Sequence, residues 1–253
     1  MIVGGEWLGL LSKFVSSLIQ RGIRATAARA MMWARIRLLP VLWLREVHAW
    51  STADLAVERP RLLLPGTLSV VRGDLAHLPL LGSLDAVALP EAAARLARGA
   101  QLWLVLHEGR AVYSGWVFHG QAPTVAARTG WLHLPPRVAN PEDMVTAPDY
   151  RGRGLASAMY TRIFDDLEER NLADRVVGKV PLGNTANRRA LIKSGWREFA
   201  HVELLRIGPW RRIRVHPVSA DRSLTQLFEW LSTELASHVG VAMSRSVPAP
   251  EKP

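Results

Sequence analysis

A glycine-rich turn between a strand and a helix constrains this chain more than any other feature of its sequence. Met144–Ala147 predicts a strand, residues 148–154 include Gly152 and Gly154, and the spacing of apolar residues in Leu155–Arg170 predicts a helix. The first amides of a helix have no partner within it, and the helix dipole adds partial positive charge there. Because glycines let the backbone approach a ligand closely, the turn is a candidate cradle for a pyrophosphate.

The residues of the turn exclude two common phosphate-binding loops. No Gly-Lys-Ser/Thr follows the glycines, and the Gly-x-Gly-x-x-Gly pattern of dinucleotide-binding proteins is absent. Arg151 and Arg153 would add charge-assisted donors to a bound phosphate. A plain surface turn in an arginine-rich protein is the alternative interpretation of the turn taken alone.

Strands and helices alternate on both sides of the turn. Glu108-Gly109-Arg110 separates two apolar stretches and predicts a hairpin. The predicted strands are Leu68–Arg72, Gln101–His107, Ala111–His119, Arg175–Val180, Trp196–Ile207 and Trp210–Val215. The predicted helices are Leu89–Ala100, Thr185–Ser194 and residues 221–239, the last with Asp221 as its N-cap. This mixed order indicates α+β or α/β layering.

Three regions are predicted along the chain: residues 1–64, 65–208 and 209–253. The first is a basic amphipathic helical extension, and residues 1–45 carry seven basic side chains and one acidic side chain. Two interpretations of it stay open: a helix pair that packs on the domain, or a helix that lies on an anionic membrane surface. The helix at 221–239 is expected to serve packing or a homodimer, and the tail after it is expected to be disordered.

Composition excludes several classes of protein. The chain has no cysteine, so disulfides and thiolate metal sites are ruled out. No uncharged apolar stretch approaches the length of a membrane span, and no His or carboxylate spacing is typical of a metal site. The net charge of +10 suits phosphate-bearing ligands, but no nucleic-acid-binding motif accompanies it. The expected location is the bacterial cytoplasm, with the inner membrane surface as the peripheral alternative.

A second segment, Asn184 to Trp196, forms a pattern together with the glycine-rich turn, and the two together resemble a known family. Here a predicted strand leads through Asn184 into a helix that ends at Gly195, with an aromatic residue after it. Together with Arg151, Gly154 and Ala156 in the turn, this order and spacing resemble the GNAT acetyltransferase superfamily. The resemblance covers about residues 68–207. It implies a mixed, mostly antiparallel central sheet flanked by helices, here with helical extensions at both ends.

The resemblance also implies a donor and the residues that would hold it. The co-substrate would be acetyl-CoA or another acyl-CoA, with no metal, and the acceptor would be an amine on a small molecule, a glycan or a peptide. The edge of the strand would pair with the pantetheine arm, the turn would hold the pyrophosphate, and the second motif would contact the arm or the phosphates. The residues implied are Val145, Thr146, Arg151, Gly152, Arg153, Gly154, Leu155, Ala156, Asn184, Asn187 and Arg188.

The catalytic groups are less evident in the sequence than the binding groups. Glu142 and Asp143 precede the turn and are the candidates for a general base. Many relatives carry a tyrosine seven residues after the motif asparagine, where this chain has Leu191, and Tyr160 is expected to face elsewhere. Two alternatives therefore accompany an acetyltransferase: a membrane-surface acyltransferase that uses acyl-CoA or an acyl carrier protein, and a non-catalytic CoA-binding module.

Overall fold

The computed structural model describes residues 43–84, 86–208, 210–219 and 221–238. Ten strands and four helices are found there, and eight of the strands form one sheet in the order β10-β9-β1-β8-β7-β4-β3-β2. The strands are β1 (Trp43–Asp54), β2 (Ser69–Gly73), β3 (Gln101–His107), β4 (Arg110–His119), β5 (Gln121–Pro123), β6 (Trp131–His133), β7 (Val138–Thr146), β8 (Arg175–Pro181), β9 (Arg197–Ile207) and β10 (Trp210–Pro217). Strands β5 and β6 form a separate two-stranded ribbon.

The helices occupy the connections between these strands. They are α1 (Leu89–Ala97), α2 (Leu155–Glu169), α3 (Thr185–Lys193) and α4 (Arg222–Ser237), with 3₁₀ helices at Leu75–Ser83 and Pro148–Tyr150. Asp221 accepts a hydrogen bond from the Ser223 amide at 2.8 Å, which confirms it as the N-cap of α4. None of the described helices is long and apolar enough to cross a bilayer.

Strand direction confirms the mixed, mostly antiparallel sheet. The pairs β1–β8, β2–β3, β3–β4 and β4–β7 are antiparallel, and β7–β8 is parallel. The parallel pair arises because β7 and β8 are joined by a crossover through α2 rather than by a hairpin. The predicted hairpin at Glu108-Gly109-Arg110 is present between β3 and β4.

Two hydrophobic clusters show which helices cover which face of the sheet. Trp103 and Val105 of β3 pack with the buried side of α2 and with Leu191 of α3. Their neighbours Leu102 and Leu104 pack instead with α1 and the 3₁₀ helix at Leu75–Ser83. Because successive strand residues point to opposite faces, α2 and α3 cover one face, while α1 and that 3₁₀ helix cover the other.

The helix α4 lies on the same face as α1. Trp230 of α4 packs edge-on against Trp50 of β1, with ring centroids 6.4 Å apart. Trp50 lies directly opposite Lys179 of β8, so the two side chains share a face. Val176 and Val180 of β8 belong to the cluster around α2, which places Lys179 and Trp50 on the face away from it.

The predicted helical extension is wrong for residues 43–54. These residues form β1, which pairs with β8 over seven positions from His48 to Asp54. Residues 49–53 are all buried, so this part of β1 is covered on both faces and shows no clear alternation of apolar and polar residues. The amphipathic helices predicted within residues 1–42 and the disordered tail predicted after residue 238 lie outside the described residues.

By its contacts the chain divides into two compact units. Among the described residues, one unit contains residues 43–45 with 204–208 and 210–212, and the other contains the remaining described residues. The second unit contains α1 to α4, the glycine-rich turn and the second sequence motif.

Phe164→Ala tests the core under α2. Phe164 is fully buried, and its ring contacts those of Tyr160 and Trp196 at centroid distances of 6.0 and 5.6 Å. Truncating a buried aromatic side chain leaves a cavity, so we expect the free energy of unfolding in urea to fall by about 3–5 kcal/mol. Leu63→Ala, at a side chain that is 90% exposed, is the control and should change it by less than about 0.5 kcal/mol. A loss below about 1 kcal/mol for Phe164→Ala would contradict this packing.

Candidate active site

The site begins where β7 and β8 separate. Their parallel pairing covers two residue pairs, Val138–Arg175 and Ala139–Val176. At the next position the buried side-chain amide of Asn140 donates a hydrogen bond to the Val177 carbonyl at 2.8 Å. The Asn140 side chain thus takes the place of a backbone amide in the hydrogen-bond ladder between β7 and β8. The next residue, Pro141, has no N–H to donate. The strands diverge beyond this point and leave an open edge on β7.

A β-bulge in β7 follows immediately. Val145 pairs with Ser114 and Glu142 with Trp116, so two residues of β7 lie opposite Gly115 of β4. Asp143 at the bulge has φ of 51°, a rare conformation for a residue with a side chain. Gly115 is needed here because a Cβ at that position would lie 2.2 Å from the sulfur of Met144.

A cleft of about 210 Å³ lies between the diverging strands. The β7 and β8 residues that line it are Pro141 to Val145 and Gly178 to Pro181. Tyr160 of α2, Asn187 and Leu191 of α3, and Trp196 complete its wall. Gly178 leaves room for Trp196, since a Cβ there would meet the indole ring at 3.2 Å.

The glycine-rich turn has the conformation of an anion cradle. Gly152 and Gly154 have φ of 74° and 77°, and a Cβ at either would meet no atom within 4 Å. Gly154 is the N-cap of α2, so the first amides of this 15-residue helix are open to a ligand. The four residues from Arg151 to Gly154 are exposed, whereas Leu155 is buried in the core and Ala156 packs against it.

Arg151 ties the turn to the end of β7, and Tyr150 before the turn contacts β3. The Nε of Arg151 donates to the Thr146 carbonyl at 3.1 Å. The guanidinium of Arg153 lies over the ring of Tyr150, 5.2 Å from its centroid, and the Tyr150 hydroxyl contacts Nδ1 of His107 at 2.7 Å. Arg151 therefore holds the cradle at a defined position relative to the strand.

The open edge of β7 next to the turn offers a backbone amide. Ala147 donates to the Val112 carbonyl at 2.9 Å and belongs to a hydrogen-bonded pair with β4. Its neighbour Thr146 therefore directs its N–H and C=O away from β4, toward the gap. Arg151 satisfies the Thr146 carbonyl, which leaves the amide at the edge. Val145 lines the cleft beside it.

The structure separates the two predicted base candidates. Asp143 is bound to Arg95, whose Nη1 lies 2.6 Å from its carboxylate, and Arg95 is itself buried against Trp116 and Phe118. Both residues border the cleft, but Glu142 is the more buried of the two: its side chain is 13% exposed and that of Asp143 is 39% exposed. Burial raises the pKa of Glu142 above its ordinary value, while the nearby Lys179 opposes that rise in part. A carboxyl group with a raised pKa suits general-base chemistry near neutral pH.

The second sequence motif is only partly in the cleft. Asn184 caps α3 by accepting a hydrogen bond from the Asn187 amide at 3.1 Å, and Asn187 lines the cleft. Arg188 is held away in a bidentate ion pair with Glu198 of β9, at 2.7 and 3.0 Å. Its guanidinium is therefore committed within the protein, and the structure gives no support to a phosphate contact from Arg188.

The position of Tyr160 differs from the one that the sequence predicted. It was expected to face elsewhere, yet it lines the cleft beside Leu191, and burial raises its pKa above the ordinary value. Residues of a helix that lie against one sheet repeat every three or four positions, and Tyr160 lies four residues before the core residue Phe164. That spacing would have placed Tyr160 on the sheet side of α2.

Two further groups in this region were missed entirely. The Nζ of Lys179 lies 2.8 Å from the Glu142 carboxylate, inside the cleft. His48 lies on β1 two residues before Trp50, on the same face as Lys179. Burial, with a smaller effect of the Lys179 charge, lowers the pKa of His48 to about 4, so its imidazole is neutral at pH 7. His48 could have been noticed only with β1 recognised as a strand.

Among the described residues, no three His, Asp or Glu side chains cluster as metal ligands would.

Comparison with known proteins matches the middle of the chain to one family. Residues 85–196 match the family described as Acetyltransferase (GNAT) family. No curated protein sequence matches the chain.

Solved structures of similar proteins come from several bacteria. One, from Novosphingobium aromaticivorans and described as a GNAT-family acetyltransferase, is 17% identical with a TM-score of 0.46, and the match covers 63% of each chain. A GNAT-family acetyltransferase from Colwellia psychrerythraea is 10% identical with a TM-score of 0.44, covering 64% of this chain and 56% of that one. The chain therefore spans less than two thirds of either protein. The family match places a GNAT acetyltransferase domain at residues 85–196.

Proposed function

We propose that this protein is an acyl-CoA-dependent N-acyltransferase that transfers an acetyl group from acetyl-CoA to an amine. The observation that carries the proposal is the succession of three features along β7 and into α2. Glu142 and Val145 line the cleft beside the unpaired part of β7, and the open glycine cradle follows β7 at the start of α2. A backbone cradle and a strand edge suit a phosphorylated, extended ligand, and the carboxylate suits proton removal.

The residues present fit acetyl-CoA in a defined order along the gap. Amides of residues 152–156 would hold the pyrophosphate, with Arg151 and Arg153 beside it. The Thr146 amide would pair with the pantetheine arm as a strand neighbour does, and Asn187 would border that arm. When bound, acetyl-CoA supplies an activated acyl carbon as a thioester.

The chain's own groups then account for the proton and the charge. The acceptor nitrogen would form a bond to the acyl carbon, and the bond from that carbon to sulfur would break, so that CoA leaves as a thiolate and takes its proton from solvent. Glu142 takes the proton that the nitrogen loses, directly or through a water molecule. A backbone amide at the bulge beside Asp143 would stabilise the negative charge that develops on the acyl oxygen. Holding both reactants in one cleft supplies much of the remaining acceleration.

Calorimetric titration with acetyl-CoA tests the donor site. The wild type should bind, and Gly154→Ala should weaken binding at least tenfold, roughly the effect of losing one hydrogen bond to a charged group. The physical reason is that a residue with a Cβ is strained at φ of 77°, so the cradle would change shape.

Gly99→Ala is the matched control for that titration. Gly99 has φ of 82° with free space around it, so alanine there carries the same backbone strain after α1 rather than in the cradle. It should lose similar stability and keep acetyl-CoA affinity. Absence of acetyl-CoA binding by the folded wild type, or equal losses in both variants, would overturn the proposed donor site.

Glu142→Gln tests the base. With a panel of small primary amines and saturating acetyl-CoA, turnover measured by release of the CoA thiol should fall about a hundredfold or more. Acetyl-CoA affinity should be retained, because a glutamine has nearly the same shape as the glutamate that it replaces. The exposed Glu229→Gln is the control and should keep full activity, and Asp143→Asn should lose far less than Glu142→Gln, because Asp143 is committed to Arg95.

The pH dependence of turnover gives an independent check on Glu142. A base must be deprotonated to act, so kcat/KM of the wild type should fall as the pH drops through the raised pKa of Glu142. That fall should lie at a higher pH than an ordinary carboxyl group would give and should disappear in Glu142→Gln. Acetyl-CoA binding without turnover of any amine would instead identify a non-catalytic CoA-binding module.

A further inference from the structure

Lys179 forms an ion pair inside the cleft that the proposed chemistry does not require. Its Nζ lies 2.8 Å from the Glu142 carboxylate and donates to the Pro123 carbonyl of β5, also at 2.8 Å. The side chains of Lys179 and Glu142 are only 11% and 13% exposed. Taking two charges out of water costs about as much as their attraction returns, so such a pair is weak evidence of a stabilising role.

The pair faces the side of the sheet away from the pyrophosphate cradle. Glu142 lies directly opposite Trp116, whose side chain belongs to the cluster around α1. Lys179 lies directly opposite Trp50, which packs against α4. The helices α2 and α3 cover the other face. A donor held by the start of α2 would therefore present its acyl group through the gap, toward the face on which Glu142 and Lys179 lie.

The chemistry of lysine suits an exchangeable contact. An ammonium has three donors, and Lys179 gives one to the Pro123 carbonyl while its charge pairs with the Glu142 carboxylate. Among the described residues, Lys179 donates to no acceptor besides Pro123 in a hydrogen bond of good geometry. Arg188 and Glu198 in the same protein show the alternative, a guanidinium locked on a carboxylate by two hydrogen bonds. Only four of the 32 basic residues of this chain are lysines. At position 179 the chain has a compact ammonium rather than an arginine guanidinium, which would bind the carboxylate more tightly through two parallel hydrogen bonds.

We propose that the acceptor is a small amine that carries a carboxylate or phosphate group, and that Lys179 binds this anionic group while Glu142 binds the amine. The inference rests on the proposed function and names its acceptor class. Because Nζ of Lys179 and the Glu142 carboxylate are adjacent, the two groups of the acceptor must be separated by only a few bonds. An α- or β-amino acid and an aminoalkyl phosphate both meet this condition, and a cleft of about 210 Å³ suits a molecule of that size.

The neutral imidazole of His48 supports an anion on this face. His48 lies two positions from Trp50 on the same face of β1, and the Lys179 charge is near enough to depress its pKa. A neutral imidazole offers one N–H donor and does not repel the ammonium of Lys179. The carboxylate of Glu46 is 3.9 Å from His48 Nδ1, on the same strand.

The test compares acceptors in matched pairs with the full-length protein and saturating acetyl-CoA. Glycine is compared with glycinamide, β-alanine with its amide, and phosphoethanolamine with ethanolamine, by release of the CoA thiol. The wild type should use the anionic member of at least one pair with a kcat/KM about tenfold higher or more, the effect expected of one hydrogen bond to a charged group. The amino acids and the phosphate compound separate the two sources of negative charge.

Lys179→Met should remove the preference. It should lower kcat/KM for the anionic acceptor about tenfold or more relative to its neutral partner, whereas Lys179→Arg should restore part of the preference. An effect of the substitution on Glu142 lowers kcat/KM for the neutral acceptors as well. The readout is therefore the ratio of kcat/KM for the anionic acceptor to kcat/KM for its neutral partner. The exposed Lys193→Met is the control and should leave the ratio unchanged.

The outcomes distinguish this inference from the proposed function. Equal use of both members of every pair by the wild type, or an equal loss on both in Lys179→Met, would overturn it and leave Lys179 as a counter-ion of Glu142. Binding of acetyl-CoA with no transfer to any of the anionic amines would also overturn it, while leaving the donor site intact. Absence of acetyl-CoA binding would contradict the proposed function itself.

Discussion

The early end of the ladder between β7 and β8 is the constraint on which the rest of the site depends. Two pairs of residues hold these strands together, and then the Asn140 side chain takes the carbonyl that a third pair would use. The buried side-chain amide of Asn140 donates to the Val177 carbonyl of β8 at the position where β7 separates from it. This carbonyl is therefore not left without a donor. The gap supplies a free strand edge, room for a ligand and a passage between the two faces of the sheet.

The bulge in β7 gives two adjacent carboxylates different environments. Because one extra residue is inserted opposite Gly115, Asp143 pairs with the buried guanidinium of Arg95, and Glu142 pairs with Lys179. Asp143 is thereby paired with Arg95, whereas burial in the cleft raises the pKa of Glu142. From the sequence, Glu142 and Asp143 were equivalent candidates. The difference between them is a consequence of the local backbone conformation, with φ of Asp143 at 51°.

The sequence predicted the elements with strong local signals and missed those that depend on tertiary context. The glycine-rich turn, the α2 helix, the hairpin between β3 and β4 and the Asp221 cap each follow from a few neighbouring residues, and the structure has them all. Strand β1 was missed because a central strand is covered on both faces and needs no alternating pattern. Tyr160, Lys179 and Arg188 were missed or misplaced because their partners, up to 56 positions away along the chain, are set by packing.

The two faces of the sheet explain why the donor could be proposed from the sequence and the acceptor could not. On the α2 side, the proposed donor site consists of backbone amides and of glycines with positive φ, features that a short sequence pattern reveals. On the opposite side, the proposed acceptor site consists of single side chains on β1, β7 and β8, and the carbonyl of Pro123 fixes one of them. Those side chains lie on the face away from α2, whereas the cradle is made of backbone atoms at the start of α2. A family pattern can therefore identify the donor site, whereas the acceptor class has to be derived from charges such as Lys179 and Glu142 where the strands part.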